Sequence, residues 1–141
     1  GKQETLMSQQ VLLLIAAAPL VALAGVRSGL LPHASSIPFW YLLLAAPFRE
    51  EALFRGGLQQ HLLTRSWGNR PLLRFSLANW LTSICFILAH LPFQAGRSLT
   101  VLIPSLVLGW LFERTNRVLP CMLLHSWFNL CWLSAASFSR T

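Results

Sequence analysis

The chain has 141 residues, 55% of them hydrophobic and 11% charged, and a formal net charge of +7. A soluble domain carries about 25% charged residues, so the composition excludes an ordinary soluble fold and points to one integral-membrane domain over residues 1–141. The eleven Lys and Arg residues are scattered between apolar segments and make no basic face, which excludes nucleic acid as a partner.

The first apolar segment runs from about Leu6 to Val26, with Val11 to Ala18 as its core and an expected kink at Pro19. It is long enough to cross about 30 Å of hydrocarbon. The second starts near Pro38 and continues to about Leu63; its first half is apolar and its second half carries an acidic motif, then Gln59, Gln60 and His61. The third is expected from Pro71, a good first-turn residue, to Phe93, with Asn79, Thr82, Ser83 and His90 as polar members. The fourth, about Ser98 to Phe112, contains Pro104 and leads into the polar turn Glu113 to Arg117. The fifth, about Val118 to Phe138, carries His125, Ser126 and Asn129.

No stretch alternates as a barrel strand does. The expected fold is therefore all-α: a polytopic membrane helix bundle of about five transmembrane helices. Lys2, Arg65, Arg70, Arg74, Arg114 and Arg117 fall on one side of such a bundle, and Arg27, Arg97 and Arg140 on the other. The positive-inside rule then places the N terminus in the cytoplasm. Cys85, Cys121 and Cys131 sit in apolar segments without zinc-ligand spacing and read as packing residues.

Arg49, Glu50, Glu51 and Arg55 place four charges within seven residues of the second segment, and Glu50 and Glu51 are two of the four acidic residues in the chain. Each charge costs about 2.5 to 3.5 kcal/mol inside a membrane, so the cluster must be paired and must face protein or water. Glu51 and Arg55 are one helical turn apart and share a face, whereas Glu50 points about 100° away. One glutamate is thus neutralised and the other is left free. His125 and Asn129 likewise share a face of the fifth segment. With His90, these residues form a set able to activate a water and stabilise an oxyanion. A purely structural network between helices is the competing explanation of the same residues.

The stretch Glu50-Glu51-Ala52-Leu53-Phe54-Arg55-Gly56 resembles the EExxxR motif of the CAAX-protease and bacteriocin-processing (CPBP, or Abi) family. Phe86 to His90 resembles its FxxxH motif, and His125 to Asn129 its HxxxN motif. The resemblance covers about Pro47 to Leu130, within a protease-like core of about residues 38–138. It implies an intramembrane endopeptidase. In that reading Glu50 is the general base, His90 holds the attacking water, His125 and Asn129 stabilise the oxyanion, and Glu51 and Arg55 orient the site.

The family has been described both as glutamate proteases and as metalloproteases. The chain has no HExxH zinc signature, so the metal-free mechanism with no cofactor is favoured; zinc held by Glu50, His90 and His125 is the alternative. The short chain points to a prokaryotic member in the inner (cytoplasmic) membrane. The expected partners are membrane lipid and a protein or peptide substrate with a hydrophobic or lipid-modified segment. A non-catalytic membrane immunity or binding protein, and a small proton or ion carrier, are the other classes these residues allow.

Overall fold

The computed structural model describes residues 1–139. Helix α1 covers Lys2–Arg27 and runs on through Pro19. The second helical stretch opens with a π turn at Tyr41–Ala45, continues as α2 (Ala46–Leu53), widens again into a π turn at Phe54–Gln59, and ends as α3 (Gln60–Leu63). Its extent matches the expected segment, but the two π turns are additional. Such turns interrupt the regular angular spacing of side chains and often occur at functional positions.

The third segment differs from expectation. Pro71–Leu72 and Phe75–Ser76 form a two-residue antiparallel pair, β1 and β2, with Pro71 opposite Ser76 and Leu72 opposite Phe75. Leu73 and Arg74 turn its tip at φ 49° and 73°. Helix α4 starts only at Leu77 and runs to Gln94. The start is set by Ser76, whose Oγ accepts a hydrogen bond from the Asn79 backbone N–H at 3.0 Å, the usual work of an N-cap serine. The Leu77 and Ala78 amides donate to the Arg70 and Gly68 carbonyls at 2.9 and 3.0 Å, so the preceding turn satisfies the helix end.

A 3-10 turn at Ala95–Val101 leads into α5 (Leu102–Thr115). Asn116, at φ 53°, closes α5 in the left-handed conformation, a common way to end a helix. Helix α6 spans Leu119–Phe138.

Helix α6 is the central element. Its Cys131, Ala135 and Ala136 pack on Ala22 and Val26 of α1; small side chains let two helices approach closely. Trp127 and Trp132 donate from Nε1 to the carbonyls of Ile15 and Pro32 at 3.0 and 2.9 Å. On its other side, Cys121 and Leu124 pack on Leu108, Leu111 and Phe112 of α5. The bundle is all-α apart from the short strand pair. Among the described residues, α1 is the one helix long and apolar enough to cross a membrane by length and composition, and Leu77–Pro92 is a shorter apolar stretch. Arg140, which entered the topology count, lies outside the described residues.

Candidate active site

The site is built from the inside outward. Glu51 and Arg55 are both fully buried, and Arg55 Nε stands 3.4 Å from Glu51 Oε1. A buried pair is tolerable only if its remaining donors and acceptors are also satisfied. Arg55 Nη2 accordingly donates to the backbone carbonyl of Ser105 and, at 2.8 Å, to the Ser105 hydroxyl on α5. The π turn at Phe54–Gln59 carries Arg55, and Gly56 in the same turn would bring a Cβ within 3.3 Å of Val118.

His125 joins this pair to the second glutamate. Its Nδ1 is 2.9 Å from Glu51 Oε2, and its Nε2 is 3.6 Å from Glu50 Oε2. A carboxylate paired with a guanidinium only accepts, so the His125 Nδ1–H is the donor to Glu51. His90 repeats the pattern from α4. Its Nδ1 donates to the Phe86 carbonyl one turn earlier at 2.7 Å, while its Nε2 faces Glu50 Oε1 at 3.9 Å. Phe86 lies against both rings, with centroids 4.4 Å from His90 and 6.1 Å from His125.

Glu50, His90 and His125 therefore converge, with side chains 22%, 17% and 10% exposed. Both imidazoles have Nδ1 engaged and turn Nε2 toward one partly exposed carboxylate. The gaps of 3.6 and 3.9 Å exceed a direct hydrogen bond. Two neutral Nε2 atoms and a carboxylate are all acceptors, so the group that suits the space between them is a donor: a water, or a proton on one ring.

The same three residues are the ones that would hold zinc. Their donor chemistry suits it, because each ring has its second nitrogen hydrogen-bonded. The spacing is wider than the roughly 3.3 Å between ligands in a tetrahedral zinc site, and among the described residues no group of three His, Cys, Asp or Glu side chains is arranged to hold a metal ion.

Asn129 is placed by a different contact. Its Nδ2 donates to the Leu42 carbonyl at 2.8 Å, and the neighbouring Ser126 hydroxyl donates to the Leu43 carbonyl at 2.7 Å. The reason lies in Pro47. It has no N–H for the carbonyls four or five residues before it, so α6 supplies the missing donors from its own side chains. Asn129 is thus committed by one N–H to positioning α6, with its second N–H left over.

Two open grooves, of about 610 and 430 Å³, lie along α6. They are lined by Phe39, Leu130, Ser134 and Phe138 in one case and by Pro19, Leu23, Trp127 and Leu130 in the other; none of Glu50, His90, His125 and Asn129 lines either groove.

Ser105, Ser83, Asn79 and Gln59 were assigned no role from the sequence. A serine or amide inside an apolar segment signals only that it needs a partner; in a membrane composition that requirement was the available cue.

The family described as Rce1-like, type II CAAX prenyl endopeptidase, matches residues 32–131 of the chain. That span takes in all three motifs and both catalytic-candidate histidines. Neither the curated proteins nor the solved structures contain a match.

Proposed function

We propose, for a chain that belongs to the Rce1-like family of type II CAAX prenyl endopeptidases, that Glu50 activates a water for hydrolysis of a peptide bond in or near the bilayer. The family is a protease family, and the arrangement around Glu50 supports this finer reading. The observation that carries it is the shared orientation of His90 and His125: each has Nδ1 occupied and Nε2 turned to Glu50.

In the proposed reaction His90 Nε2 accepts a hydrogen bond from the water, and Glu50 takes its proton as the oxygen attacks the carbonyl carbon. The carbonyl π electrons move onto oxygen. In the substrate complex His125, its Nδ1–H held by Glu51, takes up a proton from solvent on the Nε2 that is free of one in the resting protein, and that Nε2–H and the second N–H of Asn129 donate to the oxyanion. Collapse of the tetrahedral species breaks the C–N bond, and the proton on Glu50 passes to the leaving amine. Glu51 and Arg55 orient His125 throughout. No step is routed through a metal; if zinc binds, Glu50, His90 and His125 hold it, and it would polarise the water.

The bundle is proposed to sit in a membrane as five spans. Leu13, Leu53, Leu88, Ile103 and Leu123, on α1, α2, α4, α5 and α6, each stand more than half exposed, and apolar surface of this extent requires an apolar neighbour. A prokaryotic inner-membrane setting with a cytoplasmic N terminus fits the charge distribution of the loops. The α6 grooves suit the hydrophobic or lipid-modified segment of a protein or peptide substrate. The family's name points to a prenylated C terminus as the first substrate to try. The test is incubation of the reconstituted protein with a farnesylated CAAX peptide and with its unmodified form, products being identified by mass spectrometry. Endoproteolytic release of a C-terminal fragment is expected; two intact peptides would remove this reading.

A further inference from the structure

Behind the ion pair lies a hydrogen-bonded chain that runs in one direction. Arg55 only donates, so the Ser105 hydroxyl accepts from it at 2.8 Å. Ser105 Oγ then donates to Ser83 Oγ at 2.8 Å, and Ser83 Oγ donates to Asn79 Oδ1 at 3.3 Å. The amide orientation this fixes leaves Asn79 Nδ2 to donate to the Leu106 carbonyl at 2.9 Å. Ser105, Ser83 and Asn79 are all fully buried. Each hydroxyl has one way to satisfy both neighbours, because the chain begins at an obligate donor and ends at an obligate acceptor.

The chain also has a place made for it. A Cβ at Gly109 would collide with the Asn79 carboxamide, so α5 leaves out a side chain where α4 inserts one. The bond from Asn79 to Leu106 already ties α4 to α5. The further links through Ser83 and Ser105 reach the Arg55 guanidinium, which pairs with Glu51.

We infer that Asn79, Ser83 and Ser105 are positioning residues. They lock Arg55, and through Arg55 and Glu51 they set the His125 ring with its proton on Nδ1 and its Nε2 toward Glu50. The catalytic meaning of that orientation rests on the function proposed above; the orientation itself does not, and its test requires no turnover.

The experiment is nitrogen NMR of histidine-labelled protein in detergent micelles, with His125 assigned by the signals lost in His125→Gln. Two variants cut the chain. Ser105→Ala removes one oxygen. Asn79→Ala combined with Gly109→Ala removes the amide and puts a methyl group into the space it leaves, keeping α4 against α5. In the parent protein His125 is expected to show a protonated Nδ1 and an unprotonated Nε2. In both variants the two signals should move toward each other as the tautomers mix. An unchanged His125 pattern in the folded variants overturns the proposal. If the double variant does not fold, Ser105→Ala decides. Failure of both to fold also overturns it, since the chain would then serve the fold and not the ring. Should the pattern shift as expected while no peptide is cleaved, the positioning chain stands and the peptidase reading falls.

Discussion

His125 Nδ1 lies 2.9 Å from Oε2 of the fully buried Glu51, so the residue that anchors the ion pair also fixes which nitrogen of the imidazole is available. The two adjacent glutamates are divided by this contact: Glu51 faces inward to Arg55 and His125, and Glu50 faces the two Nε2 atoms.

That division predicts different costs for the same substitution. Glu51→Gln leaves the Arg55 guanidinium buried without its counter-charge and is expected to lower stability by about 3 to 5 kcal/mol. Glu50→Gln, at a partly exposed position, should change stability little. Unfolding of the two variants in detergent compares them directly; equal losses would contradict the division.

Asn129 and Ser126 each donate to one of two successive carbonyls, of Leu42 and Leu43, in the Tyr41–Ala45 turn. Each alanine variant should therefore lose about 1 kcal/mol of stability, the typical net worth of one hydrogen bond. Only Asn129→Ala should also lose about 100- to 1000-fold in rate, the usual effect of removing an oxyanion donor. Parallel measurement of unfolding and peptide cleavage separates the two contributions. Equal rates for the two variants would remove Asn129 from the proposed chemistry.

Glu113 lies in the last turn of α5, beyond the apolar stretch that ends at Phe112, half-buried under hydrogen bonds from Ser76 at 2.8 Å and Gln59 at 2.7 Å. Burial raises its carboxyl above the ordinary value, against the opposing effect of those hydrogen bonds and of Arg114. A carboxyl raised on folding binds its proton more tightly in the folded state, so it favours folding below the ordinary carboxyl range. That advantage is lost as pH rises from the unfolded value through the folded one. Glu113→Gln should flatten this part of the stability profile and give a slightly more stable protein at neutral pH, the effect being kept small by solvent screening. Unfolding midpoints from about pH 3, below the ordinary glutamate value of about 4.3, up to about pH 8 check the sign.

Much of the bundle was legible because apolar length and charge placement are strong constraints: all five helical stretches lie close to where the apolar segments put them. The start of α4 was not. Pro71 is compatible with a first helical turn, and only the capping bond from the Asn79 amide to Ser76 reveals that the helix waits until Leu77. The π turns were also hidden, since Pro47 announces a missing donor without saying that Asn129 and Ser126 will replace it. At the site, Glu50, His90 and His125 could be singled out because ionisable groups in apolar segments are conspicuous. Ser105 could not, because its importance comes from contact with Arg55 fifty residues away in the chain.

Metal dependence is tested by stripping. The proposed chemistry predicts full activity in metal-free protein, and activity lost on stripping and restored by zinc would make Glu50, His90 and His125 ligands.

The most direct test of the whole account is peptide cleavage by Glu50→Gln in reconstituted membranes, beside the parent protein and with folding verified by its unfolding midpoint. The account predicts a folded variant whose cleavage is reduced to background. A folded Glu50→Gln protein that cleaves at the parent rate would contradict it.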